Sequence, residues 1–227
     1  MIAFERPGPC NTDSVIATAS VERHSRIRHV VVASVTGASA VKAAHAIRDK
    51  NIVCVTCPQG MHWEVAHMRA GPFAEIPELA AIRDRWVEQG FQRVPMSIDA
   101  PTRRALEDHG VTIVRGTIPF FGPSFSMRLH VNHTNSLDIV AKTLELISPG
   151  TLVCLESVLM AVDAGAVPEG EEVIALAGTE RGLDTAWTIR SASSGSLFAP
   201  EKGARFIELL AKPRISTLPE VAIPYLR

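Results

Sequence analysis

The chain holds little cysteine, few aromatic side chains and no run of a single charge. Four cysteines in 227 residues are too few for the disulfide framework of a small secreted domain. No apolar stretch reaches the roughly 18 residues that a membrane-spanning helix needs. Met1 to Cys10 carries Glu5, Arg6 and two prolines where a secretion signal has its apolar core, so the expected compartment is the cytoplasm. Charge is balanced, 23 basic against 24 acidic residues for a formal net charge of -1. With no basic stripe and no acidic tail, neither nucleic acid nor membrane is an expected partner. Hydrophobic residues at 46% and charged residues at 21% exclude disorder as the default and allow a substantial core. Cys54 and Cys154 lie in apolar runs, where free cysteine acts as a small hydrophobe. Cys54 and Cys57 form one CxxC, with no second pair to complete a four-ligand zinc site.

Short β-branched runs alternate with helical stretches, the pattern of an α/β chain with a sheet covered by helices. Asn11, Thr12 and Asp13 offer N-caps for a helix reaching about Ser25. Arg28 to Ser34 (RHVVVAS) reads as a strand buried on both faces. After the turn Ser34 to Ser39, the residues Ala40, Val41, Ala44 and Ile47 repeat at helical spacing up to about Lys50. Asn51 is expected to close that helix in the left-handed conformation. Ile52 to Thr56 (IVCVT) reads as a second buried strand. Cys57 to Ile76 has no clean period and reads as a long loop or lid. Pro77 to Gln89 and Pro101 to His109 read as helices, Gly110 as a stop, and Val111 to Arg115 as a third strand. Gly116 to Val131 reads as irregular, with a turn at Gly122-Pro123.

A stripe of Leu137, Val140, Ala141, Leu144 and Ile147 marks a helix closed by Pro149-Gly150. Thr151 to Leu155 (TLVCL) then reads as a fourth strand, and Ser157 to Ala164 as a short buried helix ending at Gly165. Glu172 to Ala177 and Asp184 to Ile189 read as two strands whose short connection implies an antiparallel pair. A last helix is expected over about Pro200 to Leu210.

Two loops carry the chemistry. Ser34 to Ala40 (SVTGASA) runs from a strand end into a helix N-terminus, which aims free backbone N–H groups and the positive helix dipole at one spot. Ser34, Thr36 and Ser39 add hydroxyl donors, and Gly37 permits close approach of an anion. Charge-assisted hydrogen bonds of about 1.5–3 kcal/mol each would let three or four of them anchor a phosphoryl group. The same residues equally suit an ordinary strand-to-helix turn capped by its own hydroxyls. Gly178 to Thr185 (GTERGLDT) offers two glycines, two threonines and Arg181 for an anion or a sugar hydroxyl, although a plain hairpin also needs glycine.

Five pieces of the chain carry a resemblance: Phe4 to Thr12, His29 to Ala44, Gly116-Thr117, Val153 to Gly165 and Gly170 to Thr185. Together they resemble the C-terminal domain of pyruvate kinase, and more closely a small stand-alone family of that domain. The resemblance implies one domain over residues 1–227, a three-layer α/β/α sandwich with a mostly parallel mixed sheet and an antiparallel edge strand. It implies a phosphate site at Ser34, Thr36, Gly37, Ser39 and Ala40, with Gly178, Thr179, Arg181, Gly182, Asp184 and Thr185 on the opposite wall and Thr117 nearby. Members of that family accommodate flavin mononucleotide (FMN), which makes FMN the expected cofactor; Asp184 would accept from its ribityl hydroxyls. Residues His62 to Gln89, with Trp63 and Trp86, look like an insertion: a lid, an oligomer contact or a substrate wall. The expected activity is that of a small-molecule-binding protein holding FMN or another phosphorylated ligand. The alternatives are an FMN-dependent oxidoreductase and a module that senses a sugar phosphate. The barrel of a full pyruvate kinase would alone need roughly 250 residues.

No persuasive nucleophile or base stands out. Glu156, read at a strand end, either faces a ligand crevice or caps a helix. Asp163 reads as a satisfied buried acid. His62, Glu64 and His67, and the pair His130 and His133, lack the spacing of a HExxH zinc site and read as surface residues. Trp63 and Trp86, if exposed, would anchor an interface in a homo-oligomer.

Overall fold

The computed structural model describes residues 1–21 and 24–214. In chain order the strands are β1 (Ile2–Phe4), β2 (His29–Ala33), β3 (Asn51–Thr56), β4 (His62–Glu64), β5 (Arg93–Pro95), β6 (Thr112–Arg115), β7 (Glu172–Ala177), β8 (Thr185–Arg190) and β9 (Arg205–Pro213). The helices are α1 (Thr12–Thr18), α2 (Ala38–Ala46), α3 (Pro72–Glu75), α4 (Pro77–Glu88), α5 (Ala100–Asp108), α6 (Gly122–Val131), α7 (Ser136–Glu145) and α8 (Pro149–Asp163).

The three valines of β2 organise the centre. β2 pairs in parallel with β3 on one side and β7 on the other, with Val31 opposite Val53 and Ala175. Because side chains alternate along a strand, Val30 and Val32 join Ile52, Cys54, Ile174 and Leu176 on one face, while Val31 joins Val53, Val55 and Ala175 on the other. The first face is covered by α1, α2 and α5 through Val15, Ala40, Ala43 and Leu106. The second is covered by α8 through Cys154, Val158 and Ala161, and α7 backs α8 through Leu137, Val140 and Leu144. Each fully buried valine contributes about 1.5–3 kcal/mol of transfer free energy. The alanines of α2 let its backbone lie close to the sheet while keeping high helix propensity.

The main sheet has seven strands in the order β1-β9-β8-β7-β2-β3-β6. β8 runs antiparallel to both β7 and β9, and all other neighbours pair in parallel. The antiparallel strand therefore sits inside the sheet, and the edges are the parallel strands β1 and β6. Among the described residues no helix is long and apolar enough to cross a membrane.

Several elements differ from the sequence expectation. Residues 151–155 belong to α8, not to a strand. Eleven of its residues are buried, Pro149, Gly150 and Thr151 among them, and a helix apolar on most sides has no 3.6-residue stripe to read. Pro149-Gly150 opens this helix behind the N-cap Ser148 instead of closing α7, which ends at Glu145. Gly122-Pro123 likewise opens α6, so residues 116–131 are not irregular throughout. The final element is strand β9, held between β1 and β8, although its ELLAK core has helical propensity. Asn51 begins β3; the chain leaves α2 at Ile47 with φ -109 and ψ 110. α1 stops at Thr18, short of Ser25. Asp163 is exposed at the end of α8, where it accepts the Ser194 N–H at 2.9 Å.

Candidate ligand site at the carboxyl end of the sheet

Because β2, β3, β6 and β7 are parallel, the segments that follow them leave the sheet at one edge. Ser34 to Ala40, the chain after Cys57, Gly116-Thr117 and Gly178 to Asp184 are thereby gathered there. Open α/β sheets bind ligands outside this carboxyl edge. β2 and β7 are direct neighbours, so the two loops singled out in the sequence lie side by side.

In the first loop Gly37 is the N-cap of α2 and adopts φ 81. A Cβ there would lie 2.7 Å from Thr102 Cγ2 and 3.2 Å from Leu106 Cδ1, both on α5. The glycine is thus required by the turn and by close packing of α5, independently of any ligand. Ser34 is buried and its Oγ accepts the Ser39 N–H at 3.2 Å. One N–H of the helix start is therefore capped by Ser34 within the turn. Thr36 is half-buried in the same turn.

The second loop is built as a clasp. Asp184 is fully buried; its Oδ2 accepts Gly8 N–H at 3.0 Å and Thr179 N–H at 3.1 Å, and its Oδ1 accepts the Thr185 hydroxyl at 2.9 Å. Thr185 Oγ1 lies 3.0 Å from Ser148 Oγ. That hydroxyl also meets Thr151 Oγ1, which accepts the Trp187 indole N–H at 3.1 Å. The hydrogen-bonding capacity of Asp184 and Thr185 is consequently spent inside the protein. Gly182, with φ 79, packs where a Cβ would stand 2.5 Å from Pro9 Cα, and Leu183 N–H bonds to Thr12 Oγ1 at 3.0 Å. The N-terminal segment is locked to this loop. Gly178 is close-packed against Gly182 and Leu183.

Arg181 of this loop meets residues 62–89. Its guanidinium lies 5.3 Å from the centre of the Trp63 ring and 5.7 Å from that of Trp86, cation–π geometry. Partial burial lowers its pKa. The two indoles, 5.5 Å apart, form a cluster with Met68, Phe73, Ile76 and Leu79. Val35 of the first loop packs against the same cluster. Residues 62–89 thus touch both loops and roof the carboxyl edge. β5 pairs with β4 and so closes this segment. Residues 57–76, expected to be loop, hold β4, a short turn of 3-10 helix and α3. The roof is also tied to the N-terminal segment by the two-pronged Arg6–Glu78 ion pair at 2.7 and 2.6 Å. Trp63 is buried and Trp86 half-buried, so neither is a free interface anchor.

Further polar side chains lie at or near this end of the sheet. Glu156 lies in the middle of α8, neither at a strand end nor at a helix cap. It is 6% exposed, and its Oε1 accepts the Phe120 N–H at 3.2 Å. Burial pushes its pKa up to about 8. Cys57, at the end of β3, is pushed up to about 11, first by burial; Arg115 opposes the shift while Glu180 and Glu156 add to it. Arg115 is held by Gln59 Oε1 at 3.1 Å. Glu180 adopts a left-handed backbone, φ 62, uncommon outside glycine and a frequent mark of functional turns. The Trp63 Nε1, toward which Glu180 lies, is sealed with no partner at hydrogen-bond geometry. Cys57, Arg115 and Glu180 were not picked out for the site from sequence. Arg115 carried a usable signal, a charged residue ending a β-branched strand.

The two clefts identified, about 440 and 290 Å³, lie elsewhere. One is lined by Arg48, Lys50, Asn51 and His109, the other by Glu169, Arg190 and Lys202, and both sit at the amino end of the central strands. Cys54 and Cys154 are buried free thiols. His62, His67, His130 and His133 are exposed, and no group of three metal-ligating side chains occurs among the described residues. No protein-family model matches the chain.

Proposed function

We propose that the chain is a small-molecule-binding protein that holds a phosphorylated ligand, FMN, at the carboxyl end of β2, β3, β6 and β7, beneath the insertion. The observation that carries this reading is the convergence of the α2 turn, the start of the loop after β6 and Arg181 at one sheet edge, with Trp63 and Trp86 packed over Arg181. The α2 turn with Thr36 suits the phosphate by its dipole and N–H groups. Trp63 and Trp86 supply flat apolar surface for a ring system, and the cation of Arg181 is placed between them and the sheet. Since Arg181 covers both indoles, a ligand enters by displacing it and lifting the roof. On this reading the fold is a version of the pyruvate kinase C-terminal domain, and the compartment is the cytoplasm.

The test is the visible absorbance of purified protein before and after addition of FMN and desalting. Retained flavin absorbance that is lost in Thr36→Glu and Arg181→Glu is the expected result. Gly37 is a poor probe, because its substitution strains the turn whether or not a ligand binds. Protein that stays colourless refutes FMN and redirects the search to sugar phosphates.

A further inference from the structure

Two helices end side by side at the amino end of the central strands, and a histidine stands at each of those ends. His45 lies in the last turn of α2, and His109 follows α5 as its C-cap. Both side chains are exposed, yet their rings meet, with centres 4.4 Å apart and planes inclined at 75°. His109 Nδ1 lies 2.8 Å from the Ala105 carbonyl oxygen. A carbonyl oxygen only accepts, so Nδ1 carries the proton and Nε2 of the neutral ring keeps its lone pair. Metal-ligating histidines are commonly held in this way, one nitrogen donating to a backbone carbonyl and the other left for the cation.

The surroundings bear on the sign of a ligand. The carbonyl ends of α2 and α5 carry partial negative charge, and Asp108 lines the cleft of about 440 Å³ that opens beside His109. Lys50 and Arg48 line the same cleft. Lys50 is turned inward: its side chain is 2% exposed, and Nζ donates to the His24 and Ile27 carbonyls, both at 3.0 Å. Arg48 is exposed and opposes a cation there. Imidazole nitrogens suit borderline divalent cations such as Zn²⁺. With each Zn–N bond about 2.1 Å, two rings cis on one ion have centres roughly 4.5–5 Å apart. The observed spacing is a small side-chain adjustment away.

We propose that His45 and His109 form a two-histidine site for Zn²⁺ that clips the end of α2 to the end of α5. Among the described residues no group of three metal-ligating side chains occurs, so water from the cleft completes the coordination. The site lies at the opposite end of the sheet from the ligand site proposed above and is independent of it.

Zn²⁺ binding to the untagged, metal-stripped chain is measured by calorimetric titration and by thermal unfolding. Cys10→Ser is the parent, because an exposed thiol can take zinc itself. One saturable Zn²⁺ per chain is expected. Tm should rise as Zn²⁺ is added, since an ion that needs both helices in place binds the folded state alone. His45→Ala and His109→Ala should each weaken binding by about tenfold or more and remove the rise in Tm. His130→Ala, which removes an exposed histidine of α6, should change neither. A parent that takes up no zinc overturns the site, and so does either His45→Ala or His109→Ala binding as tightly as the parent. Should His109→Ala not fold, His45→Ala alone decides.

Discussion

Replacing Asp184 separates a ligand-facing acid from an internal clasp. Its carboxylate receives two backbone N–H groups, from Gly8 and Thr179, and one hydroxyl, from Thr185. In Asp184→Ala the Thr185 hydroxyl turns to Ser148 Oγ, 3.0 Å away, but both N–H groups are left buried and unpaired. At about 1–3 kcal/mol each, the loss is about 2–6 kcal/mol. In Asp184→Asn the amide oxygen can face the two N–H groups and its NH₂ the Thr185 hydroxyl. Only the charge assistance is then lost, about 1–2 kcal/mol at most, because burial already disfavours the charged form and raises the Asp184 pKa. With Tm moving about 2–4 °C per kcal/mol in a chain of this size, Asn lowers Tm by about 8 °C at most and Ala by considerably more. Thermal unfolding gives the stabilities, and amide exchange at Gly8 reports whether the N-terminal segment has come loose. If Asp184→Asn instead unfolds at the wild-type temperature and loses FMN, the carboxylate faces the ligand and the clasp argument is refuted.

Two further outcomes follow from the same geometry. Gly37→Ala, at φ 81 with its Cβ placed 2.7 Å from Thr102 Cγ2, should cost about 2–4 kcal/mol from left-handed strain plus overpacking; a denaturant midpoint unchanged from wild type would show that the turn and α5 relax freely. Glu156 has a native pKa raised from 4.5 to about 8, so the native state holds its proton more tightly than the unfolded chain, and stability declines as pH rises between those values. Glu156→Gln should flatten that decline, and an equal slope in both proteins would mean that the carboxyl is well solvated.

The elements legible in the sequence were those whose side-chain pattern reflects a single environment. The valines of β2, the IVCVT run of β3, the VTIVR of β6 and the two strands of the β7–β8 pair are mostly buried in the sheet and mostly β-branched or apolar. α4, α5 and α7 have one wet face and keep a helical period. α8 and β9 failed for opposite reasons. α8 is covered on most sides and lost its stripe, although Ser148 and Pro149 signalled a helix start. In β9, local propensity favoured a helix and pairing with two neighbours overruled it. Of the site, both loops were legible from glycine, hydroxyl and cation content. Which donors would be spent internally was not, because Gly8, Thr12 and Ser148 reach Asp184, Leu183 and Thr185 from distant parts of the chain.

Residue order alone determined an α/β chain with a buried β-branched sheet, an antiparallel β7–β8 turn and a polar strand-to-helix turn at Ser34 to Ala40, since each follows from periodicity and composition within a short window. Only the tertiary structure decided that β8 lies inside the sheet, that Trp63 and Trp86 pack over Arg181, and that Asp184 clasps the N-terminal segment through Gly8. The physical reason is range. Backbone propensity acts over a few neighbours, whereas burial and charge act between any groups the fold brings close, and these contacts span most of the chain.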